Sequence, residues 1–302
     1  MILDPKGLAA FLTILQQGSF DKAASQLCIT PSAISQRLKL LEEHLGQRLI
    51  IRTPPLRPTQ AGTALLKYGQ QLSQLDYLLQ QELAPKQTQA WFPLAIAVNA
   101  DTLATWLLDC LAPWCLQQQV ILQVRVDDQE QTHHLLQQGE VLACISARAT
   151  VNQGCRCLPL GKVRYHCLVS PSFQARYFAH GVTPESFSAA PMVRFNHKDD
   201  LQHTYLRTYF NLDGDTFAQH IMPSAESFVR WIELGMGFGL APETQIKPSL
   251  ATGQLLKLTP DYPLDIPLYW HQWGLETELT RSLTQAIQAG ALAAHHLEQS
   301  LV

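Results

Sequence analysis

Near the start of the chain, apolar residues recur with a helical period. Leu8, Phe11, Leu12 and Leu15 stand at i, i+3, i+4 and i+7, which is one face of a helix. Gly18 ends that helix. Ser19 caps a second one, about Phe20 to Leu27, that turns Ala23, Ala24 and Leu27 inward. Thr30 then fits an N-cap and Pro31 the first helical position, where a missing N–H costs nothing. The third helix is predicted from Pro31 to about Leu45. Ile34, Leu38, Leu41 and Leu45 form its apolar face, and Ser32, Ser35, Gln36, Arg37 and Lys39 lie opposite. Gly46 stops it. A short apolar strand and a proline turn follow in the segment after Gly46. Thr59 opens a long helix to about Leu83, in which Ala61, Leu65, Tyr68, Leu72, Leu75 and Leu79 are spaced 4, 3, 4, 3 and 4, a heptad seam. Gly62 and Gly69 weaken that helix as a lone peptide, so the seam needs a partner, either a second copy or its own domain. Pro85 and residues 86–90 read as a hinge.

From Trp91 the pattern changes. Leu94, Ile96 and Val98 mark a buried strand, and Asp101-Thr102 open a helix through Trp106 to Leu108. Val120 to Val126 is a second β-rich run, His133 to Gln138 a helix and Val141 to Ser146 a third strand. This alternation predicts a parallel sheet flanked by helices. A second set follows at His166 to Ser170, Met192 to Phe195, Tyr205 to Phe210, Ser227 to Leu234 and Gly237 to Ala241. Pro267 to Trp273 is a last strand and Glu276 to Leu292 a last helix.

Composition narrows the class. The 302 residues are 46% hydrophobic and 16% charged, which excludes an intrinsically disordered chain. No apolar run approaches the roughly 18 residues a spanning helix needs. The opening residues lack a secretory leader, so a cytoplasmic protein with no membrane role is expected. The seven cysteines are an odd number, and Cys155-Arg-Cys157 is not the C-x₂-C of a zinc site. Reduced thiols and no bound metal are therefore expected. The net charge of −3 argues against nucleic acid until it is divided. Residues 1–90 hold nine basic and six acidic groups, net +3, and residues 91–302 hold 13 and 19, net −6.

The basic head has the means to read DNA. Two helices joined by a tight turn form a helix-turn-helix, whose second helix enters the major groove. Arg pairs bidentately with guanine and Gln with adenine. Thr30, Ser32, Ser35, Gln36, Arg37 and Lys39 are the candidate readers, and Arg48, Arg52 and Arg57, flanking the proline turn, the candidate phosphate contacts of a wing. The segment resembles the LysR-type transcriptional regulators. The match runs through Gly18-Ser19-Phe20, Ala23-Ala24, Leu27, Thr30 to Leu38, Leu41-Glu42-Glu43-x-Leu45-Gly46, Leu49, Arg52-Thr53, Pro58-Thr59 and Ala61-Gly62. Where that family most often has Gln, this chain has Pro31, which offers no side-chain donor, so reading falls to Ser32, Ser35 and Arg37.

The body carries no catalytic motif: no GxGxxG after the first strand, no GxxxxGK[ST], no G-x-S-x-G. Gly235-Met-Gly237-Phe-Gly239 follows a helix and precedes Leu240-Ala241-Pro242, which suits a helix-to-strand turn and resembles the same family. Two α/β lobes joined by crossing strands would hold a ligand between them. Four loops would converge there, at 99–102, 146–147, 195–200 and 224–227, and the candidate effector contacts are Asn99, Ala100, Asp101, Thr102, Asp127, Ser146, Asn196, Asp199 and Glu226. Asp128 and Glu130 add to an acidic mouth suited to a cationic ligand, and the helix start after Asn99 to a carboxylate. The body further resembles the arginine- or lysine-export regulators, the chromosome-initiation-inhibitor-like branch. The carrying stretches are Val98 to Leu108, Gly139-Glu140-Val141, Leu201-Gln202, Ser224 to Val229 and Leu268 to His271.

These readings together predict a multidomain chain. An all-α winged helix-turn-helix head (1–58) leads into a linker and dimerisation helix with its hinge (59–88). An α/β two-lobed, periplasmic-binding-protein-like effector domain follows (89–302), with lobe I about 89–163 and 267–302 and lobe II about 164–266. The resemblance implies a double-stranded DNA operator, a homodimer or homotetramer, contact with RNA polymerase, no cofactor, and L-lysine or L-arginine as co-effector. Three alternatives stay open: an enzyme with an appended reading head, a DNA binder that blocks replication initiation, and a regulator sensing another small carboxylate.

Overall fold

The computed structural model describes residues 3–83, 91–127, 131–213, 217–274 and 276–295. The expected hinge at 86–90, and Asp128 and Glu130, lie outside these. The chain divides into two compact units, one of residues 1–92 with 137–142, the other of residues 93–136 with 143–302.

The first unit is built on α1 (Pro5–Gln17), α2 (Phe20–Gln26) and α3 (Pro31–Leu45). The predicted caps are in place. Gly18 and Gly46 take the left-handed conformation that closes α1 and α3, and the hydroxyls of Ser19 and Thr30 accept the N–H groups of Lys22 and Ala33. Leu8, Phe11, Ile14, Ala23, Ala24, Ile34, Leu38 and Leu41 form one buried core. A two-stranded wing follows, β1 (Ile50–Ile51) antiparallel to β2 (Arg57–Pro58). The long helix α4 (Gln60–Leu83) starts at Thr59, whose Oγ1 accepts the Gly62 N–H at 3.0 Å and donates to the Arg48 carbonyl at 2.6 Å. A side chain at Gly62 would overlap the Leu49 carbonyl, so this glycine lets α4 lie against the wing.

The heptad seam divides. Ala61, Leu65 and Leu72 pack on the head's own core, whereas Tyr68, Leu75 and Leu79 stay exposed at 45%, 48% and 53%. The head covers one side of the first turns of α4, leaving Tyr68 outside, and beyond Leu72 its core no longer reaches Leu75 and Leu79.

The second unit holds a seven-stranded sheet in the order β10-β6-β11-β5-β3-β4, with β9 also on β6. Its strands are β3 (Phe92–Val98), β4 (Val120–Val126), β5 (Ala143–Ser146), β6 (Cys155–Val169), β9 (Gly239–Pro242), β10 (Leu256–Lys257) and β11 (Leu264–Trp273). A small parallel pair, β7 (Met192–Arg194) and β8 (Gln219–Ile221), completes the strands. α5 (Ala100–Thr102) widens through a π turn at Leu103–Leu107 into α6 (Leu108–Gln118), against which α13 (Glu278–His295) packs. The remaining helices are α7 (Gln131–Gln137), α8 (Pro171–Tyr177), α9 (Pro184–Ala189), α10 (Leu201–Phe210), α11 (Ala225–Glu233) and α12 (Glu243–Ala251).

Two lobes share this sheet because β6 and β11 run through both. The first half of β6 pairs with Tyr269–Trp273, which also faces β5, while its second half pairs with β9 and β10. The periodicity predicts only the end of β6, from His166, as a strand. Pro159 and Gly161 break the alternation in the first half. They flank a bulge at Leu160, where the register against Leu268/Tyr269 slips by one residue and Gly161 takes φ +103°. Among the described residues no helix is long and apolar enough to cross a membrane.

Candidate functional site

In the head, α3 presents Thr30, Ser32 and Gln36 to solvent, with Ser35 and Arg37 half-buried at its flank. Thr30 Oγ1 is occupied as the cap and lies 3.1 Å from Ser32 Oγ. Lys39 is 3.6 Å from Glu43, one turn on. The arginines differ in freedom. Arg57 is exposed on β2. Arg52 stacks its guanidinium 5.4 Å over the Phe20 ring, which holds it beside α2. Arg48 donates to Glu42 at 3.2 Å. Glu42 is only 6% exposed, and its other oxygen accepts the Leu49 N–H at 2.8 Å. Its charge fastens the wing to α3 rather than diluting the basic surface, a role its sequence position beside Glu43 does not reveal.

In the second unit, a cavity of about 360 Å³ opens between the lobes. All four predicted loops reach it. Asn99, Ala100 and Asp101 come from the start of α5, Ala147 from the end of β5, Phe195 and Lys198 to Asp200 from the loop after β7, and Ala225 from α11. Asp127 closes the end of β4 and donates its N–H to the Val98 carbonyl. Of the nine candidate contacts, Asn99, Ala100, Asp101, Asp127 and Asp199 thus line one space. Thr102 is buried outside the lining, and Ser146 Oγ accepts the Arg148 N–H at 3.2 Å. Asn196 Oδ1 is spent inside its own loop on the N–H groups of Lys198 and Asp199. Glu226 is exposed on α11, in a separate shallow groove with Met222, Arg230 and Trp231. Lys198, Gln202, Leu240, Gln245 and Ile266 also line the cavity. Pattern reasoning does not reach them, because a lone Lys or Gln in a loop or helix start looks like solvated surface.

The loop after β7 is held by its own hydrogen bonds. Both Asp199 oxygens accept backbone N–H groups, from Phe195 and Leu201, at 3.0 Å each. Arg194, 8% exposed, donates to the carbonyls of His197 and Asp199 and to Gln219. Burial raises the Asp199 carboxyl against these donors. Burial also lifts Asp101 to about 6, opposed by a hydrogen bond from Tyr165 and reinforced by the charge of Asp199. Two buried acceptors on this wall, Asn99 Oδ1 and Gln202 Oε1, have no donor among the described residues. A space lined by carboxylates calls for a ligand rich in N–H donors.

Known proteins match both units. The bacterial regulatory helix-turn-helix protein family, lysR, matches residues 5–63, and the LysR substrate binding domain matches residues 93–291. The chain is 40% identical over 285 residues to the HTH-type transcriptional regulator ArgP of Aeromonas salmonicida, covering 94% of this chain and 95% of that one. The crystal structure of ArgP from Mycobacterium tuberculosis superimposes with a TM-score of 0.86 at 34% identity, covering 97% of this chain and 99% of that one. Full-length LysG from Corynebacterium glutamicum, solved with bound effector Arg, gives 0.77 at 35% identity, with the same coverage.

Proposed function

The chain belongs to the LysR family of bacterial helix-turn-helix regulators and is a DNA-binding transcriptional regulator rather than an enzyme; from that premise we propose that it senses a free basic amino acid, L-arginine or L-lysine, between its lobes and controls a basic amino-acid exporter gene. The observation that carries this reading is the lining of the cavity, where Asp101, Asp127, Asp199 and Asp200 outnumber the cation Lys198. A guanidinium or ammonium meets these carboxylates with charge-assisted bonds. That LysG holds arginine supports the same ligand class.

Residues 1–58 read the operator, 59–88 pair the subunits and 89–302 sense. Ser32, Ser35, Gln36 and Arg37 meet base edges; Arg52 and Arg57 meet phosphates. The exposed stripe Tyr68, Leu75 and Leu79 pairs with its counterpart in a second copy, which places two heads on a two-fold operator. Ligand draws the lobes together, the dimer or tetramer rearranges, and the bound half-sites change spacing or bend before RNA polymerase. All of this takes place in the cytoplasm.

The test is electrophoretic mobility of the chain's own upstream region, with L-arginine, L-lysine or L-citrulline, the last an uncharged near-isostere of arginine. Retardation whose pattern shifts with the basic amino acids and not with citrulline is expected. No retardation at low salt, or an equal response to citrulline, overturns the reading.

A further inference from the structure

One residue under the acidic wall enters by neither loop nor motif. Tyr165 sits on β6 where the strand passes between lobes, paired in register with Leu264 of β11 and Pro242 of β9. It is fully buried, and its phenol donates to Asp101 Oδ2 at 2.6 Å. A buried tyrosine needs a partner for its hydroxyl, and here the partner is an ionisable group that lines the ligand cavity. Tyr165 therefore holds one oxygen of a carboxylate that belongs to the cavity lining.

Asp101 has other charged neighbours. Asp199 faces it from the loop after β7, and Asp127, Lys198 and Asp200 share the lining. Two half-buried carboxylates on opposite walls repel, so the empty site favours keeping a proton on one of them. A cation between them removes the repulsion and makes that proton redundant.

We propose that Tyr165 is a positioning residue for effector recognition, fixing Asp101 so that the effector's cationic group takes the place of a proton on its carboxyl. The inference rests on the basic-ligand reading above and adds the carboxyl that meets the cation, the residue that holds it, and the exchange that accompanies binding. No electron moves: one O–H bond at Asp101 breaks, the proton leaves to solvent, and a charge-assisted hydrogen bond forms in its place. Tyr165 tips this exchange toward the cation, because a donor on Oδ2 favours the ionised form.

The experiment is calorimetric titration of the full chain with L-arginine between about pH 5.5 and 8.5, in buffers of different ionisation heat. Affinity is expected to fall roughly tenfold per pH unit below about 6 as one proton must be expelled. Proton release should approach one per site at the acid end and vanish at the alkaline end. Tyr165→Phe keeps the ring, withdraws the donor and should move the fall to higher pH, with affinity at pH 8.5 changed much less than at pH 6. Asp101→Asn, which still accepts from Tyr165, should abolish the proton release and weaken arginine at every pH. That arm carries the test should Tyr165→Phe not fold. Arginine binding without proton release at any pH, or a Tyr165→Phe profile superimposed on the parent's, overturns the proposal while leaving the basic-ligand reading intact. No heat with arginine or lysine at any pH overturns both.

Discussion

The reading head and the sensing cavity are built by opposite strategies. The head takes its working residues from one continuous stretch, Thr30 to Arg57, and local rules place each of them: a cap, a helical face, a hairpin. The cavity takes its residues from segments spread between Asn99 and Ile266, and only the crossing of β6 and β11 brings them together. The charged groups of the head stand mostly in water. In the cavity Asp101 and Asp199 stand half-buried, where burial moves their protons. A surface that meets a polyanion works with plain solvated cations. A pocket that must tell one small ligand from another works with desolvated groups whose state the ligand changes.

The harshest way to break this contrast is to remove one core at a time. Phe11 is fully buried under α1 and α3, and Phe11→Ala should cost about 3–5 kcal/mol. Trp270, fully buried on β11, should cost a similar amount on truncation to alanine. The first substitution is expected to abolish operator retardation with arginine affinity retained, the second the reverse. Loss of both functions from either substitution would mean that the two cores are not separate.

A smaller effect sharpens the head's side of the comparison. Glu42 accepts from the Leu49 N–H and from Arg48 in a nearly closed site. Glu42→Ala leaves that N–H without an acceptor, a cost of about 1–3 kcal/mol. The wing should loosen from α3, so operator affinity falls although no cation has been removed. Measured against salt, its slope should stay closer to the parent's than that of Arg57→Ala, which should flatten by about one counterion.

Legibility follows the same divide. The caps Ser19 and Thr30, the glycine stops and the apolar faces are all visible as spacing, because a helix end is decided within four residues. The seam of α4 is visible too, but not its division, which depends on how far the head reaches. In the cavity, Asp101 and Asp199 are visible as acids near strand ends, whereas Tyr165 lies beyond a bulge that interrupts its strand's alternation. Asn196 shows the converse. Its position at a strand end marks it as a contact, yet its amide oxygen is spent on two backbone N–H groups of its own loop.

The cavity's side is tested by pH. Asp101 is raised in the folded, empty protein to about 6 from its ordinary 3.8, so the fold binds the proton more tightly than the unfolded chain does. Its contribution to stability therefore declines as pH rises across that window and is lowest above it. Asp101→Asn removes the cost of holding the charge and should stabilise the ligand-free chain at pH 7.5 by about 1–2 kcal/mol, with no gain at pH 4. His133 and His271 pull the other way. Burial lowers both, so the fold disfavours their protons and stability declines as pH falls below 6.5. They lie edge to face at 4.9 Å, and His271 Nε2 donates to the Arg148 carbonyl at 2.7 Å beside the cavity loop. Thermal melts should therefore show opposing pH limbs, and Asp101→Asn should shrink only the one that falls toward higher pH, to which the raised Asp199 still contributes.

The smallest effect belongs to Phe20. The Arg52 guanidinium lies over its ring in the open, where such a contact contributes about 0.5–1 kcal/mol. Phe20→Leu keeps apolar bulk and frees the arginine without removing its charge. Operator affinity should fall by less than about fivefold, which is the same contribution expressed as a ratio, and by equal factors on the cognate site and on unrelated DNA, because a phosphate contact carries no sequence information. A loss confined to the cognate site would instead make Arg52 a base reader. The head's division of labour between α3 and the wing would then have to be redrawn.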